Sequence, residues 1–316
     1  MPITEFQLEA RKKHVGSSDT AAIMGLNPWR TAYDVWLEKT GQLDADMQPQ
    51  ESEAAGIGKM IEDGLLDWCY GELPADIRAN GKMLKNQYRV HAGGVLSATH
   101  DALLVGTPVG LEAKTSGIMS PATVRDNWGE AYTDEVPDYT IIQCQHQMVV
   151  SNLNVVFIPA LLGGRGRVMF QVDRNQELQD GILQAVEDFW RNNVEKQVPP
   201  DNSLPSISFA RARHRTEGKA IELDNELVQA WKDAVALKKE AEAKVDEAEA
   251  AVLAAMADAE FGDFEDGRVK MIKGRSSWLD QKGLLAARQD LSEVFAEFTR
   301  QKEYVYPRIV KKPVVK

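Results

Sequence analysis

Residues 95–116 read Val-Leu-Ser-Ala-Thr-His-Asp-Ala-Leu-Leu-Val-Gly-Thr-Pro-Val-Gly-Leu-Glu-Ala-Lys-Thr-Ser, and the rest of the chain is interpreted outward from them. From Val109 to Lys114 the residues alternate, so a strand places Gly110, Glu112 and Lys114 on one face and Val109, Leu111 and Ala113 on the other. Asp101 follows the apolar-rich run 95–98, and Gly106-Thr107-Pro108 is a turn signal that folds the next strand back beside it. Two carboxylates and a lysine then share one surface. Their hard oxygens suit Mg²⁺ or Mn²⁺, ions that keep several waters and take one or two protein carboxylates together with phosphate oxygens. Lys114 would hold or deprotonate an attacking water. Acid-x-Lys triplets also arise by chance, and the plain alternative is an exposed Glu/Lys pair on an edge strand.

At 316 residues and 43% hydrophobic content the chain can fill one large domain or two ordinary ones. No apolar run approaches a membrane span and the opening MPITEFQLEARKKHVG lacks a signal-peptide core, so a cytosolic protein without membrane association is expected. The two cysteines are far apart and the five histidines show no zinc-like spacing, which argues against a disulfide framework or structural zinc. A net charge of −11 argues against indiscriminate nucleic-acid binding. Its distribution is uneven. Residues 267–316 hold 12 Lys/Arg against 5 Asp/Glu, leaving 25 against 43 for the remainder, an acidic body with a basic tail.

Ser17-Ser18-Asp19-Thr20 precede a short helical run closed by Gly25, so a hydroxyl or the Asp caps it. That capped start, beside Arg11, Lys12 and Lys13, can hold an anion through free N–H groups and the helix dipole; on spacing alone, an ordinary capped helix with solvated basic residues is the preferred reading. A second helix starts at Thr31, with Tyr33, Trp36 and Leu37 as its apolar stripe. Residues 44–55 read as loop, and a helix opens at Gly56 with Ile61, Leu65, Leu66, Trp68 and Cys69 on its apolar face. Two strands over 81–98 lead into Asp101. Asp138 is placed to cap a helix over 139–151, on which Gln143 and Gln147 lie one turn apart on the same side, where amides can orient a carboxylate or a phosphate. His146 reads as a packing or surface residue. Strands over 154–162 and 167–172 and a helix over 175–192 follow. Residues 223–260 form a long Ala/Glu/Lys-rich helix with heptad spacing and Lys238 at one seam position; a hairpin over 268–273 and 276–279 and a helix over 281–297 complete the pattern.

His100-Asp101 and Glu112-Ala113-Lys114 resemble the acid and the E-x-K of the PD-(D/E)xK nuclease superfamily, with His100 in place of the usual proline. The stretch RKKHVGSSDTAAIMGLNPWRTAYDVWLEKTG, residues 11–41, resembles the opening of the YqaJ-type viral recombinase family, the phage alkaline exonucleases related to lambda exonuclease. The resemblance covers roughly residues 10 to 200 with its motifs in family order. It implies an α/β restriction-endonuclease-like core, a central mixed sheet flanked by helices over residues 1–200. A linker at 201–220 and a C-terminal, mainly helical appendage with a short β-hairpin at 221–316 would follow.

The same resemblance implies site roles. Asp101, Glu112 and the carbonyl of Ala113 would bind Mg²⁺, with Mn²⁺ as the alternative. Glu62 matches the family's helix-borne acid and completes the metal cluster. Gln143, from the pair Gln143-Cys144-Gln145, would sit in the active site. Lys114 would orient the nucleophile or act as base with a lowered pKa. Arg11 and Ser18, with Ser17 as neighbour, would hold the 5′-phosphate of the digested strand. The implied activity is a Mg²⁺-dependent 5′→3′ exonuclease on double-stranded DNA ends, releasing 5′-mononucleotides and leaving 3′ overhangs for recombination by strand annealing. A single-strand annealing protein as partner, a trimeric homo-oligomer and a phage or prophage origin in a bacterial cytoplasm come with it. The alternatives are a RecB-like endonuclease or flap nuclease using the same site, and a non-catalytic DNA-end-binding or assembly protein.

Overall fold

Few residues between Leu96 and Val105 favour solvent on either side, and in the computed structural model this run becomes a central strand, with burial on both of its faces. The structure describes residues 12–44, 53–117, 127–201, 203–273, 284 and 288–298. In chain order, the first unit contains β1 (Val15–Gly16), α1 (Ser17–Ile23), α2 (Ala32–Lys39), α3 (Glu53–Glu72), α4 (Ala75–Asn80), β2 (Lys82–Val90) and β3 (Leu96–Val105). These are followed by β4 (Val109–Leu111), β5 (Lys114–Ser116), α5 (Asp138–Ser151), β6 (Val155–Leu162), β7 (Gly166–Asp173), α6 (Gln176–Phe189) and α7 (Ile207–Ala212).

The seven strands make one mixed sheet flanked by helices, the expected α/β core. β3 pairs antiparallel with β2 and β4 and parallel with β1, while β6 pairs parallel with β4 and β5 and antiparallel with β7. The turn at Gly106-Thr107-Pro108 joins β3 to β4 as the sequence suggests. Gly106 has φ +101°, and a Cβ there would lie 2.5 Å from the Asn80 carbonyl oxygen, so only glycine serves. β4 and β5 are two parts of one line: Leu111 is paired with Phe157 and Lys114 with Ala160, the same offset. The ladder breaks between them because the Ala113 N–H turns to the Asp101 carboxylate instead, at 2.8 Å to Oδ2.

Apolar clusters fill both faces. Leu66 and Cys69 of α3, with Leu73 just after it, pack with Leu104, Leu111 and Phe157 of the sheet. Cys144 and Met148 of α5 pack with Leu103, Val156 and Phe170. A third cluster joins α1 and α2 to α6 through Val35, Trp36, Leu37, Ile182 and Val186. Helix α5 is therefore buried on most of its circumference, not amphipathic at a surface.

Several local expectations shift. The cap of α1 is Gly16, whose N–H donates to Asp19 Oδ2 at 3.1 Å, so Ser17 and Ser18 lie inside the first turn. Asp138 is the first residue of α5 after Pro137, whose φ of −55° already suits the helix start, and its side chain makes no cap. Residues 53–55 belong to α3, whereas 45–52 lie outside the described residues. The stretch expected as a linker carries α7 and is tied to the core. The Ser206 N–H donates to Asp34 Oδ1 at 2.8 Å, and Arg213 donates to Gln42 Oε1 at 2.7 Å and pairs with Leu43 in an isolated bridge.

The chain divides at His214, and a second unit begins at Arg215. It contains α8 (Asn225–Met256), an antiparallel hairpin of β8 (Phe261–Phe264) and β9 (Gly267–Lys270), and α9 (Ser292–Phe298). The hairpin thus lies one strand earlier than expected, with Glu265-Asp266 as its two-residue turn. Residues 274–283, where its second strand was expected, are outside the described residues. Among the described residues, no helix is long and apolar enough to cross a membrane.

Candidate active site

The elements converge on one cavity of about 200 Å³, lined by Gly16, Ser17, Ser18, Lys59, Glu62, Asn86, Ser97, Thr99, Asp101, Glu112 and Gln143. Three separate pieces of local structure bring them there. β1 runs parallel to β3 with Gly16 beside Ser97, which sets the first turn of α1 against the strand that carries Asp101. Helix α3 approaches β5 closely at Gly58, where a Cβ would meet Thr115 Oγ1 at 3.1 Å, and this brings Lys59 and Glu62 to the sheet. Helix α5 supplies the amides.

Glu112 is buried, and its carboxylate is held by three donors. Lys114 Nζ donates to Oε1 at 2.6 Å, Gln143 Nε2 donates to the same oxygen, and Gln147 Nε2 donates to Oε2 at 2.7 Å. Lys114 also donates to Gln143 Oε1 at 2.9 Å, which closes the ring. The spacing of Gln143 and Gln147 on one helix face is what lets both reach a single carboxylate.

Burial and the neighbouring Glu112 charge hold the Asp101 carboxyl well above the usual carboxylate range, against Lys114 and the Ala113 N–H, which favour its charge. Glu62 is shifted the same way, first by burial and then by Glu112 and Asp63. Lys114 departs from expectation. Burial works against its charge, but the Glu112 and Asp101 carboxylates outweigh that and raise its pKa above the ordinary lysine value, so in this arrangement it stands as a held cation and not a free base.

No group of three His, Cys, Asp or Glu side chains among the described residues is gathered tightly enough to hold an ion alone. The donor chemistry nevertheless fits a hard divalent cation: two carboxylates, buried Glu112 and half-buried Asp101, repel one another and offer only oxygen. The buried Gln147 Oε1 has no hydrogen-bond partner, so the polar shell is incomplete as it stands.

The first turn of α1 is braced from behind. Asp19 accepts from Gly16 N, from Arg30 Nη1 at 2.6 Å and from Lys39 Nζ at 2.8 Å. Burial opposes its charge, yet Lys39 and Arg30 prevail and hold its carboxyl far below the usual range. Thr20 Oγ1 lies 2.7 Å from His146 Nδ1, and His146 Nε2 lies 3.0 Å from the Ser97 carbonyl oxygen, so this fully buried histidine ties α1, α5 and β3 together. Ser17 is buried and Ser18 exposed at the rim. Arg11 lies outside the described residues.

Sequence reasoning left five of these cavity residues unassigned, one of them Gly16, the cap of α1. Ser97 and Thr99 alternate with Asp101 along β3, a period-two signal. Lys59 precedes Glu62 by three on α3, a helical-face signal. Asn86 carries no such mark. It stands in mid-β2 at φ +53°, between Lys85 paired with Ala102 and Gln87 paired with His100, and therefore opposite Asp101. Asparagine is the side chain after glycine that best accepts this conformation. Gln145, the second member of the expected amide pair, faces elsewhere: its Nε2 donates to the Asp173 carbonyl at 2.7 Å, and its Oε1 accepts from Asn175 N and Gln179 Nε2.

The YqaJ-like viral recombinase domain is matched over residues 7–154. The protein YqaJ of Bacillus subtilis (strain 168) is 30% identical over 263 residues, spanning 80% of this chain and 78% of that protein. Among solved structures, an alkaline exonuclease from Laribacter hongkongensis is 16% identical with a TM-score of 0.45, covering 61% of this chain and 94% of that one. A phage-related exonuclease from Haemophilus somnus 129PT is 14% identical with a TM-score of 0.42, covering 58% and 96%. On the identity and coverage of the Bacillus relative, the chain belongs to the YqaJ-like viral recombinase family.

Proposed function

We propose that the protein is a Mg²⁺-dependent 5′→3′ exonuclease acting on double-stranded DNA ends, releasing 5′-mononucleotides and leaving 3′ single strands for an annealing protein. The observation that carries this reading is one cavity lined by Asp101, Glu112, Gln143, Ser17 and Ser18, with Lys114 hydrogen-bonded to Glu112 and Gln143 beside it. Family membership supports it.

In this reading Asp101 and Glu112, with the Ala113 carbonyl, hold the ion, and Glu62 adds negative charge at the rim. When bound, the ion supplies Lewis-acid polarisation of the scissile phosphate and a more acidic water. Gln143 and Gln147 fix the plane of the Glu112 carboxylate. Lys114, tied to Glu112 and Gln143, positions the attacking water as a cation and would yield its proton only once the ion has drawn charge from the carboxylates. Ser17 and Ser18, at the start of α1, face the cavity where a terminal phosphate would enter, with Arg11 as its counter-charge. The basic stretch beyond residue 267 would follow the duplex, and a homo-oligomer in which three first units ring the DNA fits the family, whatever further pairing the second unit adds.

The test is one gel experiment on 5′-labelled linear and closed circular duplexes, with Mg²⁺, Mn²⁺ or EDTA. Early release of labelled mononucleotide from the linear duplex, an intact circle and silence in EDTA are expected. Nicking of the circle would instead assign an endonuclease, and binding of ends without cleavage an assembly protein. In the same assay Arg11→Ala should slow 5′-phosphorylated ends more than 5′-hydroxyl ends, since a lost charge-assisted bond is worth about 1.5–3 kcal/mol.

A further inference from the structure

Helix α8 runs 32 residues, about 48 Å at 1.5 Å per residue, and none of them is buried. Trp231 is 41% exposed, Val252 46% and Val245 63%. A helix in water with such a face lacks the packing from which most helical stability comes. The face is regular: Trp231, Lys238, Val245 and Val252 occupy one heptad position, and Leu227, Ala234, Ala241 and Ala248 the other.

The sequence along that seam discriminates between occupants. In-register parallel pairing with a second copy would set Lys238 against Lys238 and alanine against alanine. It would also stack like charge, because residues 240–256 hold five acids against one lysine. Antiparallel pairing removes each conflict. With Lys238 of one copy facing Ala241 of the other, Trp231 meets Ala248, Val245 meets Ala234 and Val252 meets Leu227, so three of the four first-position side chains face an alanine that leaves them room. The two-fold axis then falls between residues 239 and 240, close to the middle of α8, and nearly the whole helix overlaps. The acidic half lies along residues 225–239, which hold three lysines against two acids. At the axis, the pairs Lys238–Glu242 at 3.6 Å and Lys244–Glu240 at 2.8 Å of each copy interleave by sign.

We propose that α8 is the seam of an antiparallel coiled coil with α8 of a second copy of this chain. The pairing joins protomers in twos, whatever contacts the first unit makes.

Full-length Trp231→Cys and Ala248→Cys chains, mixed and oxidised, test it; the native Cys69 and Cys144 are buried. A disulfide between the two variants, with none inside either variant alone, is expected. A Trp231→Cys dimer with itself, or no interchain bond, would overturn the proposal. Light scattering of the full chain should give an even number of protomers, and Val245→Glu with Val252→Glu should halve the mass while the core melting transition is kept. A monomeric or trimeric wild type, or a mass unchanged by the double substitution, would also overturn it.

Discussion

The two units treat charge in opposite ways. In the first, Glu112 and Asp19 are each buried under three hydrogen-bond donors. In the second, the ion pairs of α8 stand in solvent and none of its residues is buried. An exposed pair contributes about 0–1 kcal/mol, whereas breaking a buried one costs roughly 3–5 kcal/mol. The contrast teaches where each unit is sensitive: the first through its own folding and chemistry, the second through what it meets.

The largest effect should come from Asp101→Asn and Lys114→Ala, each lowering cleavage by about a thousandfold or more, some 4 kcal/mol of barrier. Asp101→Asn should leave the metal-free melting temperature unchanged or higher, because burial and Glu112 already disfavour its charge. Wild-type turnover by either variant would place the chemistry elsewhere. Glu112→Ala separates the two carboxylates. Although it should also abolish cleavage, it leaves the half-buried Lys114 charge and two glutamine amides without their acceptor, so denaturant melts should register a loss of about 3–5 kcal/mol. A gain in stability like that of Asp101→Asn would refute the ring of donors around Glu112.

Next in size is a pH effect confined to the first unit, which holds all five histidines. His146 is held neutral, its pKa pushed down to about 4 by burial, partly offset by its hydrogen bond to Ser97 and by Asp19. Between that value and the ordinary value of about 6.5 the unfolded chain binds the extra proton, so stability is full above about pH 6.5 and is lost as pH falls toward 4, by about 3 kcal/mol. His100, pushed down to about 3 by burial, acts in the same direction. Melts of wild type and His146→Gln from pH 7.5 to 4.5 should show the flatter slope in the variant. Equal slopes would mean that His146 titrates normally. The smallest effect is in the tail: Lys311→Glu and Lys312→Glu, outside the described residues, should each reduce the salt slope of duplex binding by about 0.9 or more without moving the core melt. An unchanged slope would remove the tail from the DNA path.

Much of the first unit was legible because its signals are periodic. Alternation around Glu112 and Lys114 located the strand, and the one-turn spacing of Gln143 and Gln147 anticipated two amides on a shared target. The sequence could not show that Ala113 would leave its ladder for Asp101, since that hydrogen bond joins residues brought together only by the β3–β4 turn. Nor could it show that Lys114 would be raised rather than lowered in pKa, which depends on how near both carboxylates come. Asn86 was invisible because one left-handed residue inside a regular strand leaves no pattern. Residues 207–212 read as linker because their ties to Asp34 and Gln42 are long-range. The second unit offered a clear heptad but no partner, and its hairpin was misplaced by one strand because the turn at Glu265-Asp266 carries no glycine or proline at its centre.

One run of α5 has a further consequence. Gln143 and Gln147 hold Glu112, Gln145 holds the chain between β7 and α6, and His146 holds α1 and β3. Four of five successive residues thus anchor three sides of the molecule at once, and no small opening can free one side without loosening the others. Amide hydrogens there should exchange with solvent only when the whole first unit unfolds, so the slowest-exchanging backbone and the candidate chemistry occupy the same helix.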